Sequence, residues 1–342
     1  MFEIIEYEDK FEDRWDRFIK NDSINGTFLQ SRDFLNYHPQ GRFVDASLLV
    51  IQGSSIVAVI PACKVEDDYG KHFVSHKGST FGGIVLHKEK YNIKTLQDIF
   101  LRLEQYLKDN HYVDAKMSQT SDIFSKKEMD LLDYFYYKQG WKSYSEISFY
   151  VDIEKAPDDL LRILSSSRRR DYKYSLKHDL QFRRLQTDHE IEEFHSLLSQ
   201  NLKKFGAKPV HSVNELLEFK NKRLVNIVDF YGVYKRDAKL VAATMLFYFG
   251  KNVLHTQYLA QSQNKEDLNL YAMEFLNYNT MLLAREKGFK KFSFGISTED
   301  QGKVLNIGLA TFKEGFGCDY CNNKTYIKQF NKYSGGNGDA GN

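Results

Sequence analysis

Acyl transfer to an amine or hydroxyl builds negative charge on an oxygen, and an ammonium held in a dry cleft stabilises that charge. The stretch Phe312-Lys313-Glu314-Gly315-Phe316-Gly317 sets one lysine among aromatic and glycine residues, which makes Lys313 a candidate for this work. Residue type alone favours a plainer reading, a solvated lysine on a short helix capped by Gly315 or Gly317. A second candidate is the basic stretch Arg168 to Lys177, RRRDYKYSLK. On a helix, Arg169, Lys173 and Lys177 recur at every fourth residue and form one stripe, with Arg170 beside it. Tyr172, Leu176 and Leu180 form a neighbouring stripe suited to anchoring the helix on a core. Arginine offers paired donors to phosphate oxygens, so the strip suits a phosphate-bearing substrate. RNA contact uses the same charges, and a solvated face with ion pairs is the plainer alternative.

Other groups carry less. Ser75 to Gly83, SHKGSTFGG, can line a cleft because glycine lets a ligand approach the backbone, or can simply turn the chain between strands. His76 within it and His38 upstream are candidate substrate-binding or acid–base groups, each set against an ordinary satisfied histidine. His255 and Tyr258 lie three apart on an expected strand and hence on opposite faces. Cys318-x-x-Cys321 lacks the second ligand pair zinc needs and precedes a strand rather than opening a helix, so structural cysteines and no metal are expected. No P-loop, dinucleotide fingerprint or serine nucleophile elbow occurs, and no carboxylate base is nominated.

Three stretches carry a resemblance. Phe294 to Gly317, FGISTEDQGKVLNIGLATFKEGFG, resembles the C-terminal part of the Fem-type (FemABX) aminoacyltransferases and their GNAT-like relatives. Gly26 to Pro39, GTFLQSRDFLNYHP, and SHKGSTFGG resemble their opening unit, and the likeness extends to about Phe330. It implies an α/β fold with mixed sheets in two tandem GNAT-like units, and an acyltransferase whose active site lies in the C-terminal unit with Lys313 at the substrate. It also implies that the strand from Val253 runs along the acyl path, which nominates Tyr258, and Asn306 is a further substrate-binding candidate within the first stretch. The implied donor is acetyl-CoA, with aminoacyl-tRNA as the alternative. Two features depart from the pattern. The loop QSQNKEDLN after that strand lacks the glycines that hold a coenzyme A pyrophosphate on backbone N–H groups. The coiled-coil insertion of some Fem-type enzymes, often taken as a tRNA-contacting arm, is also missing. The expected reaction is transfer of an acetyl or aminoacyl group to an amine or hydroxyl of a cell-envelope or sugar-nucleotide precursor. Alternatives are a tRNA-dependent aminoacyltransferase proper and a GNAT-like scaffold that binds without chemistry.

Positioning these residues requires an ordered set of elements, and hydrophobic periodicity supplies one twice. The first half reads as a strand over 2–7, a helix through Trp15, a hairpin around Gln52 to Ser55, a helix over 95–110, a strand over 113–118, a helix over 126–139 and a strand over 147–153. The second half reads as a strand over 180–185, a helix over 191–202, a hairpin around Lys235 to Lys239, a strand over 253–260, a helix over 270–287, a strand over 289–294, a short helix over 308–314 and a strand over 324–330. Phe2 and Phe182, Gly53 and Asp237, and Trp141 and Gly317 are matched landmarks 180, 184 and 176 residues apart. The expected division is 1–155 and 156–330, with a linking basic helix over 157–179 opened by Pro157, and a flexible tail over 331–342.

Composition bounds the remainder. The 342 residues allow two medium domains, and 26 Phe and 22 Tyr against 4 Pro suit sheet-rich cores. A net charge of +2, from 48 basic and 46 acidic residues, argues against non-specific capture of DNA, so any phosphate site must be local. The acidic N-terminus lacks the basic-then-apolar pattern of a signal peptide, and the longest apolar run, Leu240 to Phe249, is too short for a membrane span. Three cysteines suit a reducing compartment, so a soluble cytoplasmic enzyme is expected.

Overall fold

A computed structural model describes residues 2–39, 41–204 and 206–330. The described residues form two compact units, one built from those up to Ser145 together with those from Asn323 to Phe330, the other from Glu146 to Asn322.

In the first unit the chain runs through β1 (Glu3–Glu6), α1 (Glu12–Arg17), α2 (Arg32–Leu35), β2 (Val44–Asp45), β3 (Leu48–Gln52), β4 (Ser55–Ile60), β5 (Ala62–Asp67), β6 (Gly70–Ser75), β7 (Val85–Leu86), α3 (Ile93–Asp109), β8 (Tyr112–Ser118) and α4 (Asp130–Lys138). Strands β1, β3, β4 and β7 make a small antiparallel sheet. The apolar run Ile56 to Cys63, which follows the expected hairpin turn at Gln52 to Ser55, falls in two strands. Pro61 has no N–H to donate and interrupts the ladder, so β4 ends in the small sheet while β5 pairs with β2 and β6. Strand β6 runs parallel to β8, and β8 pairs on its other side with Thr325 to Gln329. Leu96, Ile99, Phe100, Leu103 and Leu107 of α3 recur at helical spacing and are buried in this core with Tyr326 and Phe330. The Tyr326 ring stacks on Tyr136 at 3.9 Å between centroids.

The second unit begins within β9 (Lys142–Asp152) and continues through α5 (Ser166–Ser175), β10 (Gln181–Arg184), α6 (Asp188–Lys203), α7 (Val213–Glu218), β11 (Val228–Tyr234), β12 (Leu240–Phe249), β13 (Val253–Gln261), α8 (Lys265–Leu268), α9 (Ala272–Glu286), β14 (Lys291–Ile296), β15 (Thr298–Glu299), β16 (Val304–Leu305), α10 (Ile307–Glu314) and β17 (Asp319–Gln329). Its main sheet has the order β10, β11, β12, β13, β14, β9. All neighbours are antiparallel except β13 and β14, which α9 joins as the crossover that a parallel pair requires. Thr187 and Ser212 open α6 and α7 as capping boxes with Glu190 and Glu215.

Two expectations about this unit change. The boundary lies at Ser145/Glu146 rather than at 155, because the second half of β9 pairs with β14, while Thr325 to Gln329 return to the first unit through β8. The linking helix is also shorter. Residues 154–165 form a loop with one tight turn, Asp159 caps that turn, and α5 starts only after Ser165, whose hydroxyl accepts from the Arg168 N–H. Lys177 and Leu180 therefore fall beyond the helix, and Leu176 is 56% exposed, so Tyr172 alone of the expected anchoring stripe is buried. The expected tail over 331–342 lies outside the described residues. Among the described residues no helix is long and apolar enough to cross a membrane.

Candidate active site

The helix that carries Lys313 is set by its ends. Asn306 caps it, its side-chain oxygen accepting from the Leu309 N–H at 3.0 Å, and Gly317 leaves it at a left-handed φ of +80°. Gly317 has a second reason to lack a side chain, since a Cβ there would lie 2.7 Å from the Ile163 carbonyl oxygen. Lys313 faces inward and is only 3% exposed. Its Nζ donates to the Gly295 carbonyl at 3.1 Å and the Ile296 carbonyl at 2.6 Å, and it lies 5.6 Å from the centre of the Phe149 ring.

That cradle depends on an irregularity in β14. The β14–β9 register shifts between Ser293 and Gly295, and Gly295 adopts φ +72°. A Cβ on Gly295 would also approach His255 Cε1 to 3.2 Å, so the imidazole occupies the space that the glycine leaves. His255 Nδ1 and Ser293 Oγ are 3.1 Å apart, and the same hydroxyl accepts from the Gly295 N–H at 3.3 Å. This cluster stands where β13 and β14 part. Their parallel pairing covers only Val253 to His255 against Lys291 to Ser293, after which β13 continues beside β12 and β14 beside β9.

Burial sets the charge states. It pushes Lys313 down to about 8, an effect that Cys318 partly offsets. Burial, reinforced by the Lys313 charge, pushes His255 down to about 3, so a neutral imidazole stands beside a cation at neutral pH. Burial also holds the Cys318 thiol protonated, and its S–H donates to the Lys313 carbonyl at 3.1 Å. An ammonium with two of its three N–H groups fixed on carbonyls keeps one donor for a ligand oxygen.

The other sequence-derived candidates fall in different places. Arg169 donates to the Leu164 carbonyl at 3.0 Å, Arg170 pairs with Asp171 at 3.0 Å, and Lys173 is exposed. Tyr258 is held by His211, whose Nδ1 is 2.6 Å from the phenol oxygen, and burial pushes its hydroxyl up to about 12. A bulge in β13 opposite Met245 and Leu246 breaks strict alternation, so the three-residue spacing from His255 does not by itself set opposite faces. Asn306 is exposed and acts as the helix cap.

His38 and His76 belong to the first unit, where their rings stack at 6.0 Å and burial pushes His76 down to about 4. The SHKGSTFGG segment there is held by buried amides. Gln30 donates to the Gly82 carbonyl and Gln119 to the Ile84 carbonyl, both at 3.2 Å.

Sequence reasoning passed over Arg168, which pairs with Glu274 of α9, crosses the Phe312 ring at 4.9 Å and packs against Gly315. It also set Tyr258 ahead of His255. The one available signal for the cradle was an isolated glycine inside an apolar strand, a mark of a bulge.

No family model and no curated protein sequence matches the chain. Solved structures do. The crystal structure of FemX covers 96% of this chain and 97% of its own at a TM-score of 0.69 and 14% identity. A tandem GNAT protein from the clavulanic acid biosynthesis pathway covers 96% and 98% at 0.55 and 8% identity. L-PGS from Bacillus licheniformis covers 82% and 83% at 0.54 and 13% identity. At these identities the likeness concerns the fold, and it spans both units. The chain therefore has the Fem-type fold, two GNAT-like units in tandem.

Proposed function

We propose that the protein is an acyltransferase whose chemistry takes place at Lys313 in the second unit. The observation that carries this reading is the buried ammonium fixed on the Gly295 and Ile296 carbonyls at the point where β13 and β14 separate. A cation held by fixed dipoles in a dry site costs little reorganisation when charge develops beside it, which suits an acyl oxyanion. The acyl group is acetyl or aminoacyl, and the acceptor is an amine or hydroxyl of a phosphate-bearing cell-envelope or sugar-nucleotide precursor. Arg170 and Lys173, on the outer side of α5, are the basic groups offered to its phosphates. With His255 neutral and too weakly basic to take a proton at pH 7, the acceptor's own groups or water carry the proton away.

An aminoacyl-tRNA donor is favoured over acetyl-CoA by one feature besides the glycine-free loop. Asn201 of α6 occupies the backbone of Gln261 at the end of β13, accepting from its N–H at 3.2 Å and donating to its carbonyl. A ligand that pairs with that strand end must displace it. The test is a thermal-shift screen of acetyl-CoA, charged tRNA and UDP-sugars, followed by turnover with whatever binds. A true ligand at a hundred to a thousand times its dissociation constant stabilises the fold by about 3 to 4 kcal/mol. Binding of a sugar nucleotide with no donor bound, and no turnover with any donor, favours a scaffold without chemistry. Turnover that survives Lys313→Met within a few-fold removes the assignment of Lys313.

A further inference from the structure

Two hydroxyls immediately follow the carbonyls that hold Lys313. Ser297 and Thr298 are 2% and 8% exposed, and neither Ser297 Oγ nor Thr298 Oγ1 has a hydrogen-bond partner among the described residues. Buried hydroxyls are almost always paired, and leaving one without a partner costs stability. Their backbone is well fixed. The Ser297 N–H donates to Ile147 at 3.1 Å and its carbonyl accepts from Asn306 at 2.9 Å. Thr298 stands opposite Leu305 in the β15–β16 hairpin, which joins the cradle to the helix bearing Lys313. One chain segment thus brings two unsatisfied hydroxyls to the same end of β14 as an ammonium that has one N–H to spare.

We propose that Ser297, Thr298 and the third N–H of Lys313 form a subsite for a singly charged carboxyl-type oxygen group of the ligand. Charge decides the class. The site holds one positive charge, and Arg168, which lies across the neighbouring Phe312, is committed to Glu274 and Asp171. A monoanion is matched in such a dry place, whereas a phosphate dianion leaves one charge uncompensated. The group is either a planar carboxylate of the bound substrate or the tetrahedral oxyanion of a transfer intermediate. This subsite rests on the acyl-transfer reading only in sharing Lys313, and its test needs no turnover.

The test follows the titration of Lys313 by NMR in the full chain, with acetate as the planar probe and dimethylphosphinate, a tetrahedral monoanion, as the other, each against chloride at matched ionic strength. Either probe is expected to raise the pH at which Lys313 titrates. Response to acetate identifies a ground-state carboxylate, and response to dimethylphosphinate alone identifies an oxyanion. The variant Ser297→Ala/Thr298→Val is expected to bind the probe at least about tenfold more weakly, the scale of one or two lost hydrogen bonds. Without probe its Tm is expected to be no lower than that of the parent chain, because the fold gives these hydroxyls no partner. Three outcomes overturn the proposal: no response to either probe, equal probe affinity in the variant, or a lowered Tm. None of them bears on turnover, so the acyl-transfer reading stands or falls separately.

Discussion

Arg168 lies across Phe312, its guanidinium carbon 4.9 Å from the ring centre, and thereby ties α5 to the residue before Lys313. The same guanidinium pairs with Glu274 of α9, and the Ser165 N–H donates to the Gly315 carbonyl at 2.9 Å. The first arginine of the basic run is therefore a positioning residue for the helix that bears Lys313 rather than a phosphate ligand. Arg168→Ala strands a partly buried carboxylate and is expected to destabilise the protein by about 3 kcal/mol in urea unfolding. Adding Glu274→Gln is expected to recover part of that loss, since the pair acts as a unit.

Gly295→Ala tests the cradle from the strand side. The residue sits at φ +72°, and its new Cβ meets the His255 ring at 3.2 Å. Strain of this kind costs about 1 kcal/mol or more. The expected signature is a modest fall in Tm with a larger loss of kcat, because the carbonyls that aim Lys313 move. His255→Ala in the same chain relieves the steric part and leaves the backbone part.

Most elements were legible because their apolar residues repeat at strand or helix spacing, as in α3 and in the hairpin of β11 and β12. What escaped was set by single residues or by distant partners. Pro61 splits one apolar run between two sheets, and the loop before α5 is held by Arg285, which donates to the Pro157 carbonyl at 2.8 Å. Lys313 was nominated through a resemblance, while its surroundings were not legible. His255, Ser293 and Gly295 come together through a strand pairing and a bulge, and no local pattern announces which histidine lies beside which lysine.

In the first unit, Gly78 and His38 make a sharper test of packing. A Cβ on Gly78 would fall 1.7 Å from His38 Nε2, far inside contact distance. Gly78→Ala is expected to lower stability by about 2 kcal/mol or more, as overpacking does. The double variant Gly78→Ala/His38→Ala is expected to regain most of it, and equal loss in both chains rules out this contact as the cause.

Strand β17 is expected to be indispensable to the first unit although the whole second unit separates them in sequence. Tyr326 is buried, stacks on Tyr136 and donates to Asp133 at 2.6 Å. Tyr326→Ala removes a large buried ring and is expected to cost about 3 to 5 kcal/mol. Hydrogen exchange then localises the damage, which is expected in β8, α3 and α4.

The pH dependence of Lys313 gives the most discriminating measurement. Burial lowers its pKa from 10.5 to about 8, so the folded protein holds this proton less tightly than the unfolded chain does. Below about pH 8 both states are protonated and folding bears the full penalty, about 3 kcal/mol. Between pH 8 and 10.5 the folded state releases the proton while the unfolded state keeps it, so this contribution to stability improves as pH rises. Lys313→Met removes the titration, and the stability of the parent chain relative to this variant is expected to rise across that window. Activity is expected to move the opposite way. An oxyanion needs the ammonium, so kcat/KM falls above about pH 8, while His255, neutral above about pH 3, adds no second limb near neutrality. Loss of the ammonium costs about 10² to 10³ in kcat, the scale of one oxyanion donor. A rate that keeps rising above pH 8 in the parent chain, with stability flat across the same range, contradicts a buried, titrating Lys313.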